Sequence, residues 1–138
     1  MKPLMIAGFV LALAPVSARA QDAPLDTLSL ARQYTMWLYE GQADSLFAHT
    51  AEASRGQMTV EQYARGAEMI MNRAGFEVSV VEETWKLRNG RCQYFRAAQF
   101  TDLDEPLLVR WVLNERGEID GAGLGPLSQA PSFEQEHC

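Results

Sequence analysis

Histidine and cysteine are both scarce in this sequence: two of each occur in 138 residues, and neither type forms a close pair. There is no HExxH, CxxC, GxSxG or glycine-rich phosphate loop, so the signatures of zinc hydrolases, dithiol redox proteins, serine hydrolases and nucleotide-binding loops are missing. His49 stands near the end of a short helical stretch, where it reads as a partner for the helix C-terminus; His137 lies in the tail. No paired metal-ligand spacing occurs, and neither a metal nor a cofactor is expected. Asp102, Asp104 and Glu105 form an acidic loop that reads as a solvated turn, with a weak calcium site as the lesser alternative. The chain also lacks a basic run. Its 12 basic against 18 acidic residues give a net charge of −6, which disfavours nucleic acid and anionic membranes as partners.

Long apolar runs are absent except at the N-terminus. Lys2, "PLMIAGFVLALAP" and then Ala18-Arg19-Ala20 before Gln21 read as an export signal over residues 1–20. The run before Pro15 is shorter than the roughly 20 residues that span a bilayer, and no cysteine follows the cleavage site to carry a lipid. Cleavage there leaves 118 of the 138 residues, one domain by size. It removes Lys2 and Arg19 but no acid, so 10 bases face 18 acids, net −8. The expected location is the periplasm or the exterior, with no membrane contact after cleavage. Cys92 and Cys138 both survive into that oxidising setting. One bridge between them would close a loop of 46 residues, the separation of the two positions, and stabilise by about 4 kcal/mol in the chain-entropy model. Pairing of Cys138 with another chain, or a free thiol, is the alternative.

What is present is helix first and strand second. "PLDTLSLARQYTMWLYEG" predicts a helix capped by Asp26, with Leu30, Tyr34, Trp37 and Leu38 on one stripe and Gly41 ending it. Asp44 is expected to cap a second, short helix carrying Leu46 and Phe47. Thr59 and Gln62 form a capping box for a third helix, which presents Tyr63, Ala67, Ile70 and Ala74 and stops at Gly75. Met36, Met69 and Met71 read as gap-fillers and not as a metal site, with an exposed position the alternative for Met71. From Phe76 the apolar period changes to two, predicting strands over 77–88, 91–101, 107–114 and 118–124. Asn89-Gly90 is a strong hairpin signal, because a type I′ turn needs positive φ at both centres. Gly117 suits the left-handed position of the last loop. The expected class is α+β, a single domain over 21–125 with three helices on a four-stranded antiparallel meander. A coil-like tail over 126–138 is expected to be held only by Cys138.

The two-residue turn sets the first register. Leu87 is expected to face Cys92, Trp85 to face Tyr94, Glu83 to face Arg96 and Val81 to face Ala98, all towards the helices. Aligning like with like puts Trp111 beside Arg96, where the guanidinium stacks on the indole, and Leu113 beside Tyr94. Ile119 joins Leu113, with Gly121 and Gly123 on the Trp111 side. Thr84, Phe95 and Val112, with Val80 and Leu108, form an apolar row on the other side, and homodimerisation through that sheet face is one partner reading.

"YTMWLYEGQADSLFAHT" resembles the helix-Gly-x-x-Asp-helix opening of the nuclear transport factor 2-like superfamily, the cone-shaped α+β fold. With the third helix and the meander, the resemblance covers about residues 25–125 and is closest to a secreted branch whose members are domains of unknown function. It implies a pocket between the helices and a concave sheet. It does not imply an activity, since the superfamily includes isomerases, dehydratases, epoxide hydrolases and non-catalytic binders. Its enzymes place an Asp, a His–Asp pair or a Tyr–acid pair in the cone. This chain departs from them: neither histidine is central, and no Asp falls on the expected inner face.

The candidate ligand-binding residues are Tyr34, Trp37, Glu83, Trp85, Tyr94, Arg96 and Trp111. The aromatics would grip an apolar ligand and Arg96 would anchor a weakly anionic one; the competing reading is that they are core, with Glu83–Arg96 a structural pair. The function expected is non-catalytic binding of a small apolar or weakly anionic ligand or of a partner protein, with entry between the first and third helices. The alternative is an isomerase- or dehydratase-type enzyme using Glu83 as base with Tyr94 or Tyr34.

Overall fold

The computed structural model describes residues 25–138; the expected export signal lies outside them. Helix α1 spans Thr27–Tyr39, with the Asp26 side chain accepting from the Ser29 amide. Helix α2 spans Ala43–Ala48 and starts two residues earlier than expected, so that Gln42 is its N-cap and Asp44 lies in its first turn. Helix α3 spans Val60–Met69 behind the Thr59/Gln62 capping box. It then widens into a π-turn, Ile70–Ala74, which Gly75 ends at φ 80°. Among the described residues no helix is long and apolar enough to cross a membrane.

The four strands are β1 (Glu77–Arg88), β2 (Arg91–Phe100), β3 (Leu107–Leu113) and β4 (Ile119–Pro126), an antiparallel sheet in the order β1-β2-β3-β4. Asn89 and Gly90 both adopt positive φ, 53° and 70°, as a type I′ turn requires. The rungs nearest that turn therefore follow: Leu87 faces Cys92, Trp85 faces Tyr94 and Glu83 faces Arg96.

Three features of register differ from expectation. Val81 is an extra residue in β1, so that Ala98 faces Val80, and Val78 is a second one before Glu77. These two bulges return Glu77 to the same side as Glu83. Between β2 and β3 the register lies two residues away: Trp111 faces Tyr94 and Val109 faces Arg96. A slip of two preserves which side each residue takes, so the inner row survives while the partners change. In β4 the expected rung Leu113–Ile119 forms, but Asp120 bulges, and Gly121 then faces Val112 and Gly123 faces Arg110. Both glycines thus sit on the outer side, away from Trp111.

The core lies between the helices and the inner side of the sheet. Ala31, Tyr34, Leu38 and Leu46 meet Tyr63, Ala67 and Ile70 over Tyr94, Ala98, Val109 and Trp111. Trp111 Nε1 donates to Thr35 Oγ1 at 2.9 Å, which satisfies the polar atom of a side chain only 1% exposed.

The C-terminal tail is packed, contrary to the coil expected. Cys92 and Cys138 are bonded, their Cα atoms 6.0 Å apart. Before the bridge, Leu127, Ala130 and Phe133 cover Phe95, Ala97 and Leu108 on the outer side of the sheet. The Phe133 and Phe95 rings meet edge to face at 5.4 Å. Backbone bonds from Leu87 N to Gln135 O, at 3.1 Å, and from Cys138 N to Trp85 O, at 3.0 Å, zip the tail to β1. Lys86, only 5% exposed, bonds Glu136 Oε2 at 2.7 Å and lies over the Phe95 ring. Of the outer apolar row, Phe95, Leu108 and Val112 are buried and Thr84 bonds His137, while Val80 stays exposed.

Candidate functional site

The charged pair of the first hairpin forms and is part of a larger network. Arg96 Nη1 donates to Glu83 Oε2 at 2.9 Å. Its opposite edge grips Glu77, with Nε on Oε2 at 3.2 Å and Nη2 on Oε1. Arg32 reaches down from α1 and bonds both Glu83 oxygens, the shortest contact being 2.5 Å from Nη2. Tyr94 donates to Glu83 Oε2 at 2.6 Å and Tyr39 to Glu77 Oε2 at 2.8 Å. Sequence spacing gave no sign of Arg32, Glu77 or Tyr39 in this cluster.

The electrostatics are those of a closed structural knot. The Arg32 bonds hold the Glu83 carboxyl down at about 2; burial opposes this, and Tyr94 and Arg96 add to it. Such a carboxylate is a weak base near neutral pH. Burial, and then the bond to Glu83, pushes the Tyr94 hydroxyl up to about 12. Burial acts against the Arg96 charge, yet the bonds to Glu77 and Tyr94 carry its pKa above the ordinary arginine value. With a carboxylate on each edge, the Arg96 fork is occupied. It faces Val109 across the sheet and is not paired with Trp111 as expected.

The other candidate residues fall into two groups. Trp85 packs edge to face on Tyr94 at 5.7 Å, beside the network. Tyr34, Trp37 and Trp111 form a separate aromatic cluster: the Tyr34 ring is 5.8 Å from Trp37 and 6.0 Å from Trp111. The Tyr34 hydroxyl donates to Gly117 O at 2.7 Å, which fastens α1 to the last loop. His49 caps α2, its Nδ1 2.9 Å from Ser45 O and its ring 4.9 Å from Trp37.

Beyond this cluster opens a cavity of about 310 Å³. Leu38, Tyr63, Val109 and Trp111 form its deep walls, and Met58 and Leu124 its sides. Its more exposed lining is Gln57, Gln62 and Ala122–Leu124 of β4. The lining thus draws on β4 as well as on the first and third helices. Of the seven expected ligand residues, Trp111 alone lines it. The one ionisable wall group is the Tyr63 phenol, raised by burial and lying 2.7 Å from Thr50 Oγ1. Gly66 of α3 also faces the cavity: a Cβ placed there would stand 3.6 Å from both Leu38 Cδ1 and Leu124 Cδ2. A glycine inside a helix costs about 0.5–1 kcal/mol relative to alanine, and this one leaves room in the wall. A mid-helix glycine was the available sequence signal for this site.

A second hollow, about 550 Å³, lies beside the C-terminal end of α1, between Met36, Tyr39, Ile70, Met71, Phe76 and Phe100. Its rim is soft: Met36 is 45% exposed, Met71 61% and Phe76 82%. Met36 is thus a rim residue, not the gap-filler expected. No family model matches the chain, and comparison with curated proteins and with solved structures gives no match.

Proposed function

We propose that the protein is an exported, non-catalytic binding domain of the nuclear transport factor 2-like cone type, and that it holds a small neutral apolar ligand against Trp111. The observation that carries this reading is the 310 Å³ cavity with walls already in place: Leu38, Tyr63, Val109 and Trp111 are all between 1% and 6% exposed. A preformed apolar chamber with a few polar groups at its mouth is how proteins take up small apolar molecules, and its volume is at the small end of such sites. The exposed Gln57 and Gln62 amides of the lining suit a carbonyl or hydroxyl on the ligand and attract no charge. The lack of a strong base on the wall, with Glu83 held at about 2 in a separate network, favours binding over proton-transfer chemistry. The disulfide is compatible with an oxidising, exported location.

The test is a thermal-shift screen of neutral apolar metabolites on the oxidised mature chain, repeated on Gly66→Leu, whose side chain would fill the cavity. Stabilisation by one chemical class, lost in the variant, supports the reading. Stabilisation that persists in Gly66→Leu, or none in the whole screen, overturns it. The second reading, a partner protein, draws on Met36, Met71 and Phe76 around the larger hollow, since clustered exposed apolar side chains mark contact surfaces. Met71→Glu would abolish partner capture and leave ligand stabilisation unchanged.

A further inference from the structure

On the outer side of the sheet, across Gly123 and Leu124 of β4 from the proposed ligand cavity, two neighbouring arginines have no carboxylate. Arg110 of β3 is half-buried, and among the described residues no acid lies within ion-pair distance of it or of its neighbour Arg88, in a chain with 18 acids against 12 bases. Its one protein partner is neutral: Arg110 Nη1 donates to Gln93 Oε1 at 2.8 Å. Gln93, 3% exposed, is itself fixed, because its Nε2 donates to Arg88 O at 3.2 Å. A guanidinium carries five N–H donors, so four of them meet no protein acceptor among the described residues. Among the described residues no buried side-chain nitrogen lacks a partner, so these N–H groups open to the surface and are accessible to a ligand; burial together with the nearby Arg88 acts against the charge of Arg110.

The space around this group is shaped. Arg88 and Arg110 line a pocket of about 200 Å³ with Leu108, Leu124, Gly125 and Pro131. Gly123 makes room for the guanidinium, since a Cβ there would stand 2.7 Å from Arg110 Nη2. Gly125, across from Leu108, has nothing within 4 Å of a built Cβ, so its side of the pocket is open. Pro131 belongs to the tail held by the Cys92–Cys138 bridge.

We propose that Arg110 and Arg88 form a binding site for a small organic carboxylate, whose anionic head takes the free edge of the Arg110 fork and whose apolar body lies against Leu108 and Pro131. A planar guanidinium matches a carboxylate two bonds at a time. The pocket is smaller than those that hold drug-sized molecules, which limits the ligand to a short-chain or single-ring acid.

The test is an NMR titration of the oxidised full mature chain, following the Arg110 Nε–H and the Gly123 and Gly125 amides. Benzoate supplies head and body, acetate and inorganic phosphate supply charge alone, and benzamide supplies the body alone. Benzoate is expected to saturate these signals, at least tenfold more tightly than acetate or phosphate, with benzamide silent. Arg110→Met should weaken benzoate at least tenfold. Gly125→Leu, which fills the pocket and leaves both arginines in place, should do the same and keeps the test valid if Arg110→Met fails to fold. Equal responses to benzoate, acetate and phosphate would reduce the effect to charge screening and overturn the proposal. So would benzoate binding that survives Gly125→Leu.

Discussion

Arg96 meets Glu83 at 2.9 Å from the adjacent strand, on the side of the sheet that faces α1. The contact completes a chain of ion pairs from exposed Arg32 through Glu83 and Arg96 to Glu77, closed at its ends by Tyr94 and Tyr39. This knot ties the first helix to the hairpin and uses the groups that would otherwise do acid–base or anion-binding work between the helices and the sheet.

Glu83→Gln should destabilise the fold, most visibly above pH 5. The carboxyl falls from an ordinary 4.5 to about 2 in the folded chain, a shift worth about 3 kcal/mol at most and nearer 1–2 after screening of the exposed Arg32 partner. Because the folded pKa lies below the unfolded one, this stabilisation is full above about pH 4.5 and is lost as pH falls towards 2. Urea titrations of both proteins at pH 7 and pH 2.5 check it: the gap in midpoint should narrow sharply at the lower pH.

Gly66→Ala should raise stability by about 0.5–1 kcal/mol, because the added methyl reaches only ordinary contact distance, 3.6 Å, from Leu38 and Leu124. Thermal melts test this. A fall in melting temperature would mean that the helix needs the glycine for a reason other than cavity space.

Phe133→Ala should cost about 1–2 kcal/mol with the disulfide intact, since the ring packs on Phe95. Cys138→Ser should cost about 2–5 kcal/mol and speed hydrogen exchange at the Leu87 amide, which bonds Gln135 O. If Phe133→Ala proves neutral, the tail is held by the bridge alone.

The first hairpin and the helix caps were legible because local chemistry dictates them. Asn89-Gly90 fixes three rungs, Thr59 and Gln62 fix a helix start, and both need only neighbours in sequence. Legibility ended where geometry becomes non-local. Val78 and Val81 bulge within an apolar run that reads the same with or without them. The β2–β3 connection, with no tight turn, allowed a slip of two that the alternation of Leu107, Val109, Trp111 and Leu113 fits equally well. Leu127, Ala130 and Phe133 follow neither period, so their fit to Phe95 and Leu108 was invisible. The site was least legible: Arg32 meets Glu83 across 51 residues of sequence, and the cavity is a product of packing.

The most direct test of the ligand account is a set of intermolecular NOEs from a neutral apolar probe, N-phenyl-1-naphthylamine, to the methyl-labelled protein. Contacts to the methyls of Met58, Leu124 and Leu38 and to the Trp111 ring are expected, all of which line the cavity. Contacts confined to Met36 and Met71 around the other hollow, with Leu124 and Met58 silent, would contradict the account.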